Sequence, residues 1–184
     1  MARYLIGMTG ASGAAHGVDF VKRCPGEKYL VLSDWARKVL HDETGLKPGD
    51  LEPFVKKLFA DADLAAPFAS GSNRLDAMVV VPCSVSTLAK IAAGIADTLI
   101  TRAAAVALKE RRRLILCLRE TPLSSIALAN ALTLSREGAT IMPVAPPWYR
   151  KPTSLDELVA GFTAKLLAHL GEDAGPGWRE DELE

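Results

Sequence analysis

The chain has 184 residues, 22 basic and 22 acidic, and 49% of it is hydrophobic. That length suits one domain with a substantial core, and a net charge of zero offers no general field to draw in nucleic acid or an anionic membrane. Three scattered cysteines without a C-x-x-C and three histidines without ligand spacing exclude a disulfide framework and a protein-built metal site, and they point to a reducing compartment, with cytosol as the default.

The chain opens on RYLIGMTGASGAAHG, Arg3 to Gly17. Tyr4, Leu5, Ile6 and Met8 form a short apolar run without helical period, as in a strand buried on both faces of a parallel sheet. It starts at once, leaving no room for a signal peptide, and no later run reaches the roughly 20 apolar residues of a membrane helix. Gly7, Gly10 and Gly13 then permit a tight turn, and Ser12 stands where a helix begins. Unpaired amides at such a helix start favour an anion, here a phosphate; the alternative is an ordinary strand-to-helix turn. The G-x-x-G-x-x-G spacing differs from the dinucleotide fingerprint.

A first helix over 13–24 stops at Pro25 and Gly26, and a second strand over 28–32 leads to Ser33, which caps a helix from Asp34 to Thr44. That helix places Trp35, Val39 and Leu40 on one side and stops at Gly45. Residues 46–71 read as a mobile, proline-punctuated excursion with an amphipathic piece at 51–59. AMVVVP is the next buried strand; Cys83, Ser84, Val85, Ser86 and Thr87 then open a helix and again offer hydroxyl donors at a strand end. A helix over 97–110 and a strand over 114–118 follow, and that strand ends in an Arg119 and Glu120 ion pair. A helix over 124–137, a strand over 140–144, the stiff loop PPWYRKP and a helix over 155–170 complete the series.

Strands and helices alternate, with about five strands, so the fold class is α/β: a doubly wound parallel sheet of Rossmann or flavodoxin-like type, a three-layer sandwich. One domain spans 1–170 and an acidic, Gly/Pro-broken tail spans 171–184. Ligands bind at the carboxyl edge of such sheets. Ser12, Ser33, Ser84, Ser86, Thr87, Arg119 and Glu120 collect there, an inventory that suits a phosphorylated planar cofactor better than a metal.

GMTGASGA, then ASGS before PCSVSTLA, then LITRAAAVALKERRRLIL, RETPLS and PPWYRKPTSLDEL, in that order, resemble the UbiX-type flavin prenyltransferases nearly end to end. The resemblance implies transfer of a dimethylallyl group from dimethylallyl phosphate to N5 and C6 of reduced FMN, giving the prenylated flavin used by a UbiD-type decarboxylase. It assigns FMN to Gly10, Ala11, Ser12, Ser33, Ser84, Val85, Ser86, Thr87 and Arg119. It assigns the prenyl phosphate to Lys109, Glu120, Tyr149 and Lys165, with Arg102 from across a subunit contact in a dodecamer built from trimers. Catalysis would rest on Glu120, Lys109 and Arg119, with no metal: the cations stabilise the leaving phosphate, Glu120 gives a proton if burial raises its pKa, and Trp148 shields an allyl cation. Ala105, Lys165, Asp34 and Trp35 depart from the usual family residues. Two rival readings share the fold: an FMN-dependent decarboxylase of the cysteine-decarboxylating group, and a carrier subunit that delivers flavin without modifying it.

Overall fold

The computed structural model describes residues 1–177 and 179 and divides into two compact units, Met1–Val144 and Ala145–Glu184. The first unit holds a six-stranded sheet in the order β3-β2-β1-β4-β5-β6, every pairing parallel. The strands are β1 (Arg3–Met8), β2 (Glu27–Leu32), β3 (Lys57–Ala60), β4 (Ala77–Cys83), β5 (Arg113–Leu118) and β6 (Thr140–Ile141). This is the doubly wound Rossmann order, with the reversal between β1 and β4.

The first helices are α1 (Ala14–Arg23) and α2 (Asp34–Thr44), joining β1 to β2 and β2 to β3. Beyond β4 come α3 (Val85–Ala92), α4 (Leu99–Lys109) and α5 (Ser125–Arg136). Local chemistry sets their ends. Ser33, Ser84 and Ser124 each accept an amide of the first turn, from Ala36, Thr87 and Ala127, and Gly45 closes α2 at φ 72°. Alternation then sorts the sheet faces. Leu5, Val31, Met78, Val80, Leu114 and Leu116 share one core with Leu88 of α3 and Leu99, Ile100 and Ala103 of α4. On the other face α1 rides so close that a Cβ at Gly17 would lie 2.6 Å from Met8 Cε and from the Val81 carbonyl oxygen.

Residues 46–71 are not the excursion that their prolines suggest. Pro48–Phe54 forms a 3-10 turn with Leu51 fully buried, and Lys57–Ala60 is β3, the sixth strand, at the sheet edge. Phe68 holds the segment down, its ring centroid 4.9 Å from that of Tyr29 and 5.6 Å from that of Phe59. Trp35 is a second departure: it is 70% exposed and does not join Leu40 in the buried side of α2.

The second unit carries a 3-10 turn, Trp148–Arg150, and α6 (Leu155–Leu170), capped by Ser154 and closed by Gly171 at φ 82°. Gly161 explains itself within this unit, because a Cβ there would meet Pro147 Cγ at 3.2 Å. The proline-aromatic loop is thereby seated on α6. Residues 178 and 180–184 of the expected acidic tail lie outside the described residues. No helix among the described residues is long and apolar enough to cross a membrane.

Candidate functional site

At the reversal point the ends of β1 and β4 are stitched together by one hydroxyl. Thr9 Oγ1 donates to the Pro82 carbonyl at 2.9 Å and accepts the Ser84 N–H at 2.8 Å. Beside this stitch a cleft of about 430 Å³ opens, lined by Thr9, Gly10, Ser33, Ser84, Ser86 and Thr87, together with Asp34, Trp35, Asp61, Lys90 and the start of α4. Five of the sequence-predicted cofactor residues therefore meet in one place: Gly10, Ser33, Ser84, Ser86 and Thr87. Gly10 is required by close approach, since a Cβ there would lie 2.5 Å from the Trp35 Cβ. Ser84 Oγ caps α3, accepting the Thr87 N–H at 3.2 Å and donating to Thr87 Oγ1 at 3.1 Å. Ser86 is exposed to the cleft. Val85 instead packs against the core, and Ala11 is buried outside the lining.

The start of α1, read from sequence as the anion site, is filled by the protein itself. Glu43, on α2, accepts the Gly13 N–H at 2.9 Å and the Ala14 N–H at 2.8 Å through one carboxylate oxygen. Ser12 also hydrogen-bonds this carboxylate. Burial works to raise the Glu43 pKa, but the bonds from Ser12, Ala14 and Gly13 and the nearby Arg119 outweigh it and hold it below the ordinary glutamate value. A carboxylate thus takes the helix-end charge that a phosphate was expected to take. His16, half-buried in the same corner, has its pKa lowered chiefly by desolvation.

The charged residues sort into two groups. Arg119 stays at the carboxyl edge, its N–H bonded to the Cys83 carbonyl at 3.1 Å and its charge felt by Glu43 and His16. Glu120 follows it, exposed, its carboxylate accepting the Thr121 N–H at 2.9 Å instead of pairing with Arg119. The burial that its proton-donor role assumes is not supplied by this chain alone. Lys109 lies elsewhere: α4 runs back across the sheet, carrying it about 15 Å from the cleft end of the helix to the amino edge. There it pairs with Glu110, next to Gly71. Arg102 is exposed and donates to the Ala69 carbonyl at 3.0 Å.

Tyr149 and Lys165 belong to the second unit. Tyr149 sits in the Trp148–Arg150 turn, and Lys165 is exposed on α6, four residues beyond the Gly161 seat of the loop. One helical turn separates those positions on one face of α6. Sequence reasoning missed Glu43, Asp61, Lys90 and the lining role of Trp35. Asp61 could have been found from its place after LFA, as the acid that caps α4: its Oδ1 accepts the Ile100 N–H at 2.9 Å. Burial raises the Asp61 pKa, opposed by that bond and by one from Thr98. No His/Cys/Asp/Glu group among the described residues is arranged to hold a metal.

The Flavoprotein family model matches residues 1–165. A flavin prenyltransferase UbiX of Thermoplasma acidophilum is 46% identical over 170 residues, covering 92% of this chain and 94% of its own. The chain belongs to the UbiX-type flavin prenyltransferases. The crystal structure of AnUbiX (PadA1) in complex with FMN and dimethylallyl pyrophosphate matches this prenyltransferase with a TM-score of 0.92 and 41% identity, covering 97% of this chain and 99% of that one. A dodecameric FMN-dependent UbiX-like decarboxylase from Escherichia coli O157:H7 also matches with a TM-score of 0.92, at 42% identity, covering 96% of this chain and 98% of that one. The prenyltransferase cleft, with its hydroxyl donors, its single glycine floor and its volume, fits a flavin mononucleotide.

Proposed function

We propose that this prenyltransferase transfers a dimethylallyl group from dimethylallyl phosphate to reduced FMN, and that a UbiD-type decarboxylase takes up the product. The observation that carries the reading is the convergence of Gly10, Ser33, Ser84, Ser86 and Thr87 on one cleft at the sheet reversal. These residues hold the FMN, and the reduced flavin supplies the nucleophile at N5 and then at C6. The other steps belong to the chain. Breaking the allylic carbon–oxygen bond leaves a phosphate with a second pKa of about 6, which needs counter-charge or a proton. Arg119 and Lys165 supply charge, Glu120 delivers the proton, and Trp148 shields the allyl cation. Ser12, tied to Glu43, positions the flavin edge of the glycine turn.

Arg102 enters this scheme across a subunit contact, as the family resemblance implies, and we extend that to Lys109, because α4 carries it to the sheet edge opposite its own cleft. A homo-oligomer, in our reading a dodecamer, also accounts for α5, whose Ile126, Leu128 and Leu132 are exposed on a helix with Arg136 as its one charge. The three cysteines are buried thiols, with burial raising Cys83 to about 12, and they suit a cytosolic protein. Substituting Glu120→Gln tests the scheme. Turnover with reduced FMN and dimethylallyl phosphate should fall at least a hundredfold, within the usual span of about 100- to 10,000-fold for general acid–base catalysis, while FMN still binds. Unchanged turnover removes Glu120 from the mechanism.

A further inference from the structure

We infer that Lys90 is a phosphate-binding residue of the cleft, the group by which the site prefers a phosphorylated flavin to riboflavin; the inference rests on the flavin reading above. Lys90 is the one lysine or arginine lining the cleft among the described residues. It stands on α3 four positions after Ser86, so its stem runs along the same helix face as the hydroxyls that converge there.

The helix starts around the cleft differ in what they offer an anion. The start of α1 is filled by the Glu43 carboxylate. The first turn of α2 carries Asp34, and the start of α4 is capped by Asp61 through the Ile100 N–H at 2.9 Å. The first turn of α3 has no acidic residue, only Ser84, Ser86 and Thr87, with Lys90 one turn further along. Asp97, which neighbours Asp61, is paired with Lys90, so a phosphate gains this lysine by taking it from Asp97.

Lys90 is held ready without being consumed. Its Nζ lies 2.7 Å from Asp97 Oδ2, and both side chains are partly open to solvent. An exposed pair of this kind is weak and easily exchanged. A phosphate, with about 1.5 to 2 negative charges at neutral pH and three acceptor oxygens, is the stronger partner. Asp97 keeps a second hydrogen bond from Thr101 Oγ1, at 3.5 Å, when the lysine turns inward.

The test titrates oxidised FMN and riboflavin in parallel into wild type, K90M, K90R and D97N, following quenching of flavin fluorescence, with a thermal melt of each variant as a check on folding. K90M should bind FMN about tenfold more weakly, the loss of one charge-assisted hydrogen bond, and riboflavin unchanged. K90R should retain most of the FMN preference. D97N, which removes the competing carboxylate, should bind FMN more tightly. A K90M protein that binds FMN as well as wild type overturns the assignment and leaves the flavin reading standing. Equal losses for both flavins also overturn it, because a lysine that merely shapes the cleft would do that. A wild-type protein that binds neither flavin overturns the flavin reading and this inference with it.

Discussion

The Glu43 carboxylate gives the sharpest test of how the glycine turn is held. Glu43→Ala removes the acceptor of two first-turn amides, at 2.9 and 2.8 Å, and the partner of Ser12. A side-chain cap is worth about 1 kcal/mol and a hydrogen bond to a charged group about 1.5 to 3, and the partial exposure of this one favours the low end, so the expected cost is about 1 to 3 kcal/mol. For a chain of this size each kcal/mol moves Tm by about 2 to 4 °C, so Tm should fall by roughly 2 to 12 °C at neutral pH. The pH dependence adds a second check. The folded pKa of Glu43 lies below its unfolded value, so its contribution is complete above the unfolded pKa, about 4.3, and is lost as pH falls through the folded value. The gap in Tm between wild type and variant should therefore be widest above about pH 5 and close in acid. Melts followed by circular dichroism from neutral to acidic pH measure both. A variant that melts with wild type at neutral pH, or a gap that widens in acid, refutes the account of this turn.

Two further outcomes follow from the geometry. Gly10→Ala would set a Cβ 2.5 Å from the Trp35 Cβ, costing about 1 to 3 kcal/mol of stability, read as a lower Tm, and weakening flavin binding. Adding Trp35→Ala should not rescue it, because the clash is with the Cβ that alanine keeps. Lys109→Ala and Glu120→Gln should each lower turnover at least a hundredfold alone, yet subunits of the two, mixed after dissociation, should recover part of it if, as proposed, Lys109 reaches the site from another copy. An inactive mixture, with mixed oligomers verified by mass, places both residues in one chain's site instead.

Local chemistry made most of the fold legible. Ser33 and Gly45 bracket α2 at Asp34–Thr44 as the sequence signals predict, and α6 has its expected span, Leu155–Leu170. The hydroxyl run after β4 was readable because a strand end beside N-cap residues is a local pattern. What failed was tertiary. Lys57–Ala60 is four residues long with only Phe59 buried, and its strand character comes from the neighbouring β2 and the Tyr29 and Phe68 rings. Glu43 lies thirty residues from the turn it holds, and nothing near it in sequence marks it as a cap. Lys109 and Glu120 are close in sequence, but β5 crosses the sheet between them and leaves them at opposite edges. Trp35 counts as apolar in any helical pattern, yet the first turn of α2 opens onto the cleft.

The central claim, prenyl transfer to a flavin held in this cleft, is tested most directly by mass. Wild-type protein is incubated anaerobically with reduced FMN and dimethylallyl phosphate, and the released flavin is analysed by mass spectrometry. The account predicts a flavin heavier by one prenyl unit, formed without added metal. Unchanged flavin, with FMN and dimethylallyl phosphate both bound, contradicts it.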